Sequence, residues 1–196
     1  QAVDVKKKRE ELGLSTEAIV ILSVGEMTKN KNQELIIRTV SEYKKKGERI
    51  CYALCGKGTE EEHLRGLAAE LDIENEVKFL GYHKDIYEVY KMADIFVFPS
   101  LREGMPVALM EAMASGLPVI CSDIRGNRDL LENKKGGVLI KGHKVEDYVK
   151  ALEWMVENRI SWEKMGDFNR RKAELFDRKN VVGIMKKLYE SIKNNK

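Results

Sequence analysis

The stretch Ala18-Ile-Val-Ile-Leu-Ser-Val24, followed at once by Gly25, carries a single polar side chain. A strand with one wet face alternates apolar and polar residues, whereas an unbroken apolar run suits a strand covered on both faces. Further along the chain, similar runs recur at Ile50–Cys55, Val77–Leu80, Ile95–Phe98, Val119–Cys121 and Val138–Ile140. Segments of helical period separate them. Ile36, Val40 and Tyr43 share one face of the first, and Leu64, Leu67, Ala68 and Leu71 share a face of the second, which opens on a capping box from Thr59 to Glu62. Pro106 to Ser115 reads as another helix, with Pro106 at its first position and Gly116 at its end. Helices dominate from Val145 to Ile192, where Val181, Ile184, Met185, Leu188 and Ile192 form a stripe. This alternation predicts an α/β fold: a Rossmann-like parallel sheet of about six strands with helices on both faces.

The chain has 196 residues, 43% of them hydrophobic, enough for one domain with a sizeable core. Charged residues make up 34% and nearly cancel to +3, so the balance does not point to nucleic acid. The runs Lys6-Lys7-Lys8 and Lys44-Lys45-Lys46 are expected on solvated helix faces. Cys51, Cys55 and Cys121 all fall inside apolar runs, which suits buried thiols in a reducing compartment better than a disulfide framework. They form no zinc-ligand spacing with the three histidines. No stretch approaches the length of a transmembrane segment and no signal-peptide core opens the chain, so a cytoplasmic domain is expected. Val3 to Leu12 is a charged helical segment stopped by Gly13, either a simple N-terminal helix or the tail of a connection from a preceding domain.

Ligands of open parallel sheets bind at the carboxyl ends of the strands. That rule selects the loops 25–31, 56–59, 81–85, 99–105 and 122–128. Gly56-Lys57-Gly58-Thr59 is neither a Walker loop nor a dinucleotide fingerprint, because Glu61 stands where the third glycine belongs. The informative stretch runs from Ser100 to Val119 and carries Glu103 and Glu111, with Gly104 and Pro106 between them. Backbone N–H groups from Met105 to Ala108 would face the crevice at a helix N-terminus, where the dipole favours a phosphate. Gly104 would admit a ligand close to the backbone. Spacing alone leaves two readings open. Either the two carboxylates take hydrogen bonds from sugar or ribose hydroxyls, or Glu103 complements the helix dipole and Glu111 is a surface residue.

At these residues the chain resembles the retaining GT-B glycosyltransferases of family 4, the glycosyl transferases group 1, whose motif is Glu-x7-Glu. The resemblance extends through Ser23-Val24-Gly25, Lys31, Gly56-Lys57-Gly58, Phe79-Leu80-Gly81, the run from Ala93 to Ser100 and the run from Ala114 to Val119. Its closest flavour is that of polysaccharide and lipopolysaccharide biosynthesis. It implies two Rossmann-like domains across a cleft, of which this chain matches the C-terminal, donor-binding one. Residues 1–16 would then be the inter-domain connection and 17–196 the nucleotide-sugar-binding domain. A missing N-terminal domain would hold the acceptor site, and membrane contact would come only through it.

By the same resemblance Glu111 would hold the ribose hydroxyls. Glu103, as the catalytic residue, would contact donor-sugar hydroxyls near the reacting carbon. Gly25, Gly104 and the amides of Met105, Val107 and Ala108 would lie against the phosphates and sugar, Pro106 itself having no N–H. Lys31 would neutralise the diphosphate, and Gly81, Tyr82 and His83 would lie beside the base, expected to be uridine. Such enzymes usually need no metal or other cofactor, and the sequence has no Asp-x-Asp pair. One departure stands out: Glu26 replaces the arginine that commonly follows the first strand, with Lys29, Lys31 and Arg102 as candidate substitutes. The alternative function is a non-catalytic nucleotide-sugar-binding module working with a separate chain. A receiver-type fold is disfavoured by the helix-rich tail and by the lack of an acidic cluster after the first strand. The stripe from Val181 to Ile192 would pack on its own domain or support self-association.

Overall fold

The computed structural model describes residues 3–177. Six parallel strands form one sheet: β1 (Ile19–Val24), β2 (Ile50–Cys55), β3 (Val77–Gly81), β4 (Ile95–Phe98), β5 (Val119–Ser122) and β6 (Gly137–Ile140). They lie in the order β3-β2-β1-β4-β5-β6, so the direction of winding reverses between β1 and β4. The expected strands and the Rossmann-like class are thus observed, with limits shifted by at most a residue or two.

The side chains of each strand divide between two cores, which is why the runs are continuously apolar. Ile19 and Ile21, Ile50, Tyr52 and Leu54, and Ile95 and Val97 face one core. Helices α2 (Gln33–Lys44), α3 (Glu61–Glu70) and α7 (Val145–Glu157) close it with Ile36, Val40, Leu64 and Leu152. Val20 and Leu22, Cys51, Ala53 and Cys55, and Phe96 and Phe98 face the other. There α4 (Ile86–Met92), α5 (Val107–Ala114) and the end of α8 (Trp162–Glu174) contribute Val89, Tyr90, Leu109, Ala112 and Ala173. The three cysteines are buried and unpaired, as expected. Burial pushes the Cys51 and Cys55 thiols up to about 11, so neither is a nucleophile near neutral pH.

Several local expectations are corrected. Thr59 forms no capping box: the N-cap of α3 is Glu60, in helical conformation and without a side-chain cap bond. Glu60 N–H is instead bonded to the Met27 carbonyl, so the neighbouring loop sets the helix entry. Pro106 is the N-cap of α5 rather than its first helical residue, with extended backbone at ψ 90°. The end of α5 is as expected: Gly116, at φ +81°, donates to Met113 O, and Leu117 donates to Ala112 O, a Schellman closure.

The opening helix α1 (Val5–Glu11) packs against α4. Buried Arg9 bonds to Asp94 Oδ2 at 2.8 Å and to Met92 O at 2.8 Å, while Val20 N–H donates to the same Asp94 oxygen. Lys6 and Lys7 are solvated, but Lys8 is half-buried against Glu88. No helix among the described residues is long and apolar enough to cross a membrane. The stripe from Val181 to Ile192 lies outside the described residues.

Candidate functional site

The loops after β1, β2, β3, β4 and β5 open on one edge of the sheet, and the reversal between β1 and β4 makes the crevice there. On one side the loops stack backbone against backbone. Gly25 N–H donates to Cys55 O at 3.0 Å, Met27 N–H to Lys57 O at 3.0 Å, and Gly56 N–H to Gly81 O at 2.8 Å. A Cβ on Gly56 would lie 2.0 Å from the Gly25 carbonyl oxygen, and one on Gly58 2.2 Å from that of Met27. These glycines serve close packing of two loops.

Beside them is a cavity of about 680 Å³ lined by Gly25, Glu26, Gly56, Lys57, Tyr82 and His83, with Lys84 and Ile86 at its side. Tyr82 is 77% exposed, leaving a ring face free, whereas the His83 ring is tied to Leu80 O at 3.1 Å. The exposed Glu26 thus stands among Lys57 and Lys84, two cations that sequence reasoning did not single out. Lys29 instead lines a separate cavity with Glu34, Glu60 and His63.

The other side is built from charge. Lys31 Nζ lies 2.7 Å from Glu103 Oε1 and 4.8 Å from the centre of the Phe98 ring. Glu103 keeps only 12% of its side chain exposed, so the pair is a partly desolvated salt bridge. Its loop is held from two directions. Leu101 N–H donates to Asn30 O at 2.8 Å, and Asn30 Nδ2 donates to Arg102 O at 3.0 Å. From β5, Ser122 Oγ donates to Ser100 O at 2.5 Å, and buried Asn127 on α6 (Arg125–Leu130) donates to Ser122 O. Gly126 of α6 completes the support, since a Cβ there would come within 2.8 Å of both the Glu103 and Gly104 carbonyl oxygens.

Next comes the N-terminus of α5. Gly104 has open space where a Cβ would stand, so none of the described residues requires glycine there. Met105 and Val107 are exposed apolar side chains, while Pro106 is buried. The N–H groups of Val107 and Ala108 belong to the first turn, where no intrahelical acceptor exists.

Glu111 sits on the same helix with an exposed side chain that is nonetheless fixed. The Tyr90 hydroxyl donates to Glu111 Oε2 at 2.9 Å and lies 3.2 Å from Ala108 O. Tyr90 is 1% exposed; burial, then the charge of Glu111, push its hydroxyl well above the usual tyrosine range, which keeps it a donor. The structure therefore pairs Lys31 with Glu103 directly, sets Gly25 beside the Lys31 stem, places Tyr82 and His83 in the adjacent cavity just after Gly81, and links Glu111 back to α4 through Tyr90. Sequence reasoning missed Tyr90, which reads as one more core aromatic in a short helix.

Three comparisons bear on this arrangement. The family model for glycosyl transferases group 1 matches residues 4–172. An uncharacterised glycosyltransferase of Haemophilus influenzae is 33% identical over 165 residues, covering 83% of this chain and 46% of the relative. The UDP-Gal:alpha-D-GlcNAc-diphosphoundecaprenol alpha-1,3-galactosyltransferase of Escherichia coli is 31% identical over 161 residues, covering 80% and 41%. Among solved structures, Anabaena HepE in complex with UDP matches with a TM-score of 0.85 at 22% identity, covering 99% of this chain and 53% of that one. The chain spans about half the length of the relatives it matches.

Proposed function

The chain belongs to the glycosyl transferases group 1 family, and from that premise we propose that it is the donor-binding half of a retaining glycosyltransferase that moves a sugar from a nucleoside diphosphate, UDP by preference, to an acceptor hydroxyl in polysaccharide or glycolipid synthesis. The observation that carries this reading is the order of groups along the crevice: an open cavity with a free tyrosine face, a lysine paired to a carboxylate, a helix N-terminus, and a second carboxylate held by a buried tyrosine.

Each group has a task on this reading. The base enters the cavity beside Gly81, Tyr82 and His83. The ribose hydroxyls donate to Glu111, whose Oε2 already accepts a hydrogen bond from the Tyr90 hydroxyl. The diphosphate lies at the α5 N-terminus, where the N–H groups of Val107 and Ala108 and the helix dipole favour negative charge. Lys31 has three N–H donors and gives one to Glu103, which leaves two for a phosphate. Glu103 is placed to take hydrogen bonds from donor-sugar hydroxyls. Fixed amides and an ammonium in a partly dry site stabilise the departing diphosphate without reorganising.

Lys57 and Lys84 supply positive charge on the side where Glu26 replaces the family's arginine. No metal is needed for this charge balance, and the reaction is expected to run unchanged in a chelator. The acceptor site belongs to a domain outside this chain, so the isolated chain binds donor without transferring it. The test is transfer by the full-length protein from an α-linked UDP-sugar, with the anomeric configuration of the product read by NMR. An α product supports retention by this site; a β product, or no transfer from any nucleotide-sugar, contradicts it.

A further inference from the structure

At the end of the sheet opposite the crevice lies a second cavity of about 490 Å³. Its place follows from the topology. Lys134 and Lys135 sit in the turn before β6, and Asn158 closes α7, which runs back antiparallel to the strands. Trp154 and Phe168 form its apolar wall, and Lys134, Lys135, Lys164 and Arg171 surround it. None of the described residues that line it is acidic. Of the nearby acids, Glu132 is taken by Lys135 and Lys172, Asp167 by Arg170 and Glu153 by Lys46. Among the described residues Lys134, Lys164 and Arg171 have no carboxylate partner. Lys134 is also held at φ +62°, a conformation few lysines adopt.

Beside the cavity, the short 3-10 turn Arg159–Ser161 carries Ile160 at its tip, 96% exposed and the most exposed large apolar side chain of the described residues. Arg159 precedes it and stacks over Trp162 at 5.2 Å. Both tryptophans of the chain stand at this end, half-buried against the core, with the Trp162 indole N–H donating to Met155 O at 2.8 Å, together with five cations and a bare isoleucine. A site for a soluble anion has no use for an apolar tip turned to water. A bilayer surface uses all three features: apolar insertion, tryptophan at the headgroup level and cations against lipid phosphates.

We propose that this end of the domain is a docking surface for an anionic membrane, with Ile160 entering the headgroup boundary, Arg159, Lys134, Lys164 and Arg171 meeting lipid phosphates, and the cavity between Trp154 and Phe168 receiving a headgroup. One isoleucine and a handful of cations give weak, reversible binding that neither signal supplies alone. The inference is independent of the donor-site reading, concerns a different face, and departs from the expectation that membrane contact comes only through the missing domain.

The test is sedimentation of the 196-residue chain with phosphatidylglycerol–phosphatidylcholine vesicles and with pure phosphatidylcholine vesicles, at low and high salt. Anionic vesicles are expected to bind at least about tenfold more strongly, with the advantage falling at high salt. Joint Lys134→Ser, Lys164→Ser and Arg171→Ser substitution is expected to lower partitioning about a hundredfold, close to fivefold per cation. Ile160→Asp is expected to lower it about tenfold. Lys6→Ser, on α1 where that helix packs against α4, is expected to leave it unchanged. All these side chains are exposed, and thermal melting of each variant reports that it folds. Absence of an anionic preference, or variants that bind like the parent, would overturn the proposal. Saturable binding of inorganic pyrophosphate at this cavity without vesicle binding would overturn it too, in favour of a free-anion site.

Discussion

The two sides of the crevice are specified by different physics. Where the loops after β1 and β2 meet, Gly56 and Gly58 allow carbonyls of Gly25 and Met27 to lie where a Cβ would otherwise be, and backbone hydrogen bonds join the strands' ends. Across the crevice, side chains define the surface: Lys31 with Glu103, and Glu111 with Tyr90. The first side is a matter of shape, and errors there raise the energy of the fold itself. The second is a matter of charge and donors, and errors there leave the fold intact but change what it binds. A crevice built this way can alter its ligand chemistry at one wall while the other keeps the sheet ends in register.

The sharpest way to break this contrast is a methyl group on the shape side. Gly56→Ala is expected to destabilise the fold by about 3 kcal/mol or more, since the new Cβ meets backbone that has nowhere to move. Urea denaturation measures it, and a loss below about 1 kcal/mol would mean the loops are less tightly stacked than described. On the charge side, Lys31→Ala is expected to weaken UDP binding about a hundredfold by calorimetry, because it removes a charge-assisted donor and leaves Glu103 to repel the diphosphate. Adding Glu103→Gln to that variant should recover part of the loss. Equal binding by the single and double variants would remove the repulsive part of the argument.

Glu111→Ala comes next, with UDP affinity expected to fall about tenfold and stability to change by less than about 1 kcal/mol. The smallest effect is expected from Tyr90→Phe. It keeps the buried ring and frees Glu111 to choose other rotamers, so UDP affinity should fall about threefold. A Tyr90→Phe loss as large as that of Glu111→Ala would show that the tyrosine positions more than one carboxylate.

The strands were legible because burial on both faces leaves unbroken apolar runs, and Gly25, Gly81 and Gly116 mark their neighbouring turns in the sequence itself. The carboxylate pair was legible as a spacing. Its partners were not. Lys31 and Glu103 are 72 positions apart and meet only because β1 and β4 are neighbours in the sheet. Tyr90 lies on α4, a seven-residue helix that no periodicity singles out, and nothing local distinguishes it from core tyrosines such as Tyr52 and Tyr148. The capping box at Thr59 failed for a related reason: Met27, from another loop, accepts from the Glu60 N–H, and the helix begins after Glu60 rather than after Thr59. Lys57 and Lys84 likewise come to line one cavity with Glu26 only once three strands are assembled. Signals carried by neighbours in sequence survive in one dimension, and those carried by neighbours in space do not.

On the proposed reading, this chain holds a nucleoside diphosphate through Glu111 and the wall beside it. Thermal unfolding with UDP, GDP and ADP, on the parent chain and on Glu111→Ala, is the experiment to run first. At a ligand concentration about a hundredfold above Kd, binding to the folded state adds about 2.7 kcal/mol of stability. UDP is expected to raise the melting temperature of the parent by several degrees more than GDP or ADP, and Glu111→Ala to lose most of that rise. An equal rise in the variant, or no rise with any of the three nucleotides, would rule out Glu111 and its wall as the nucleotide site.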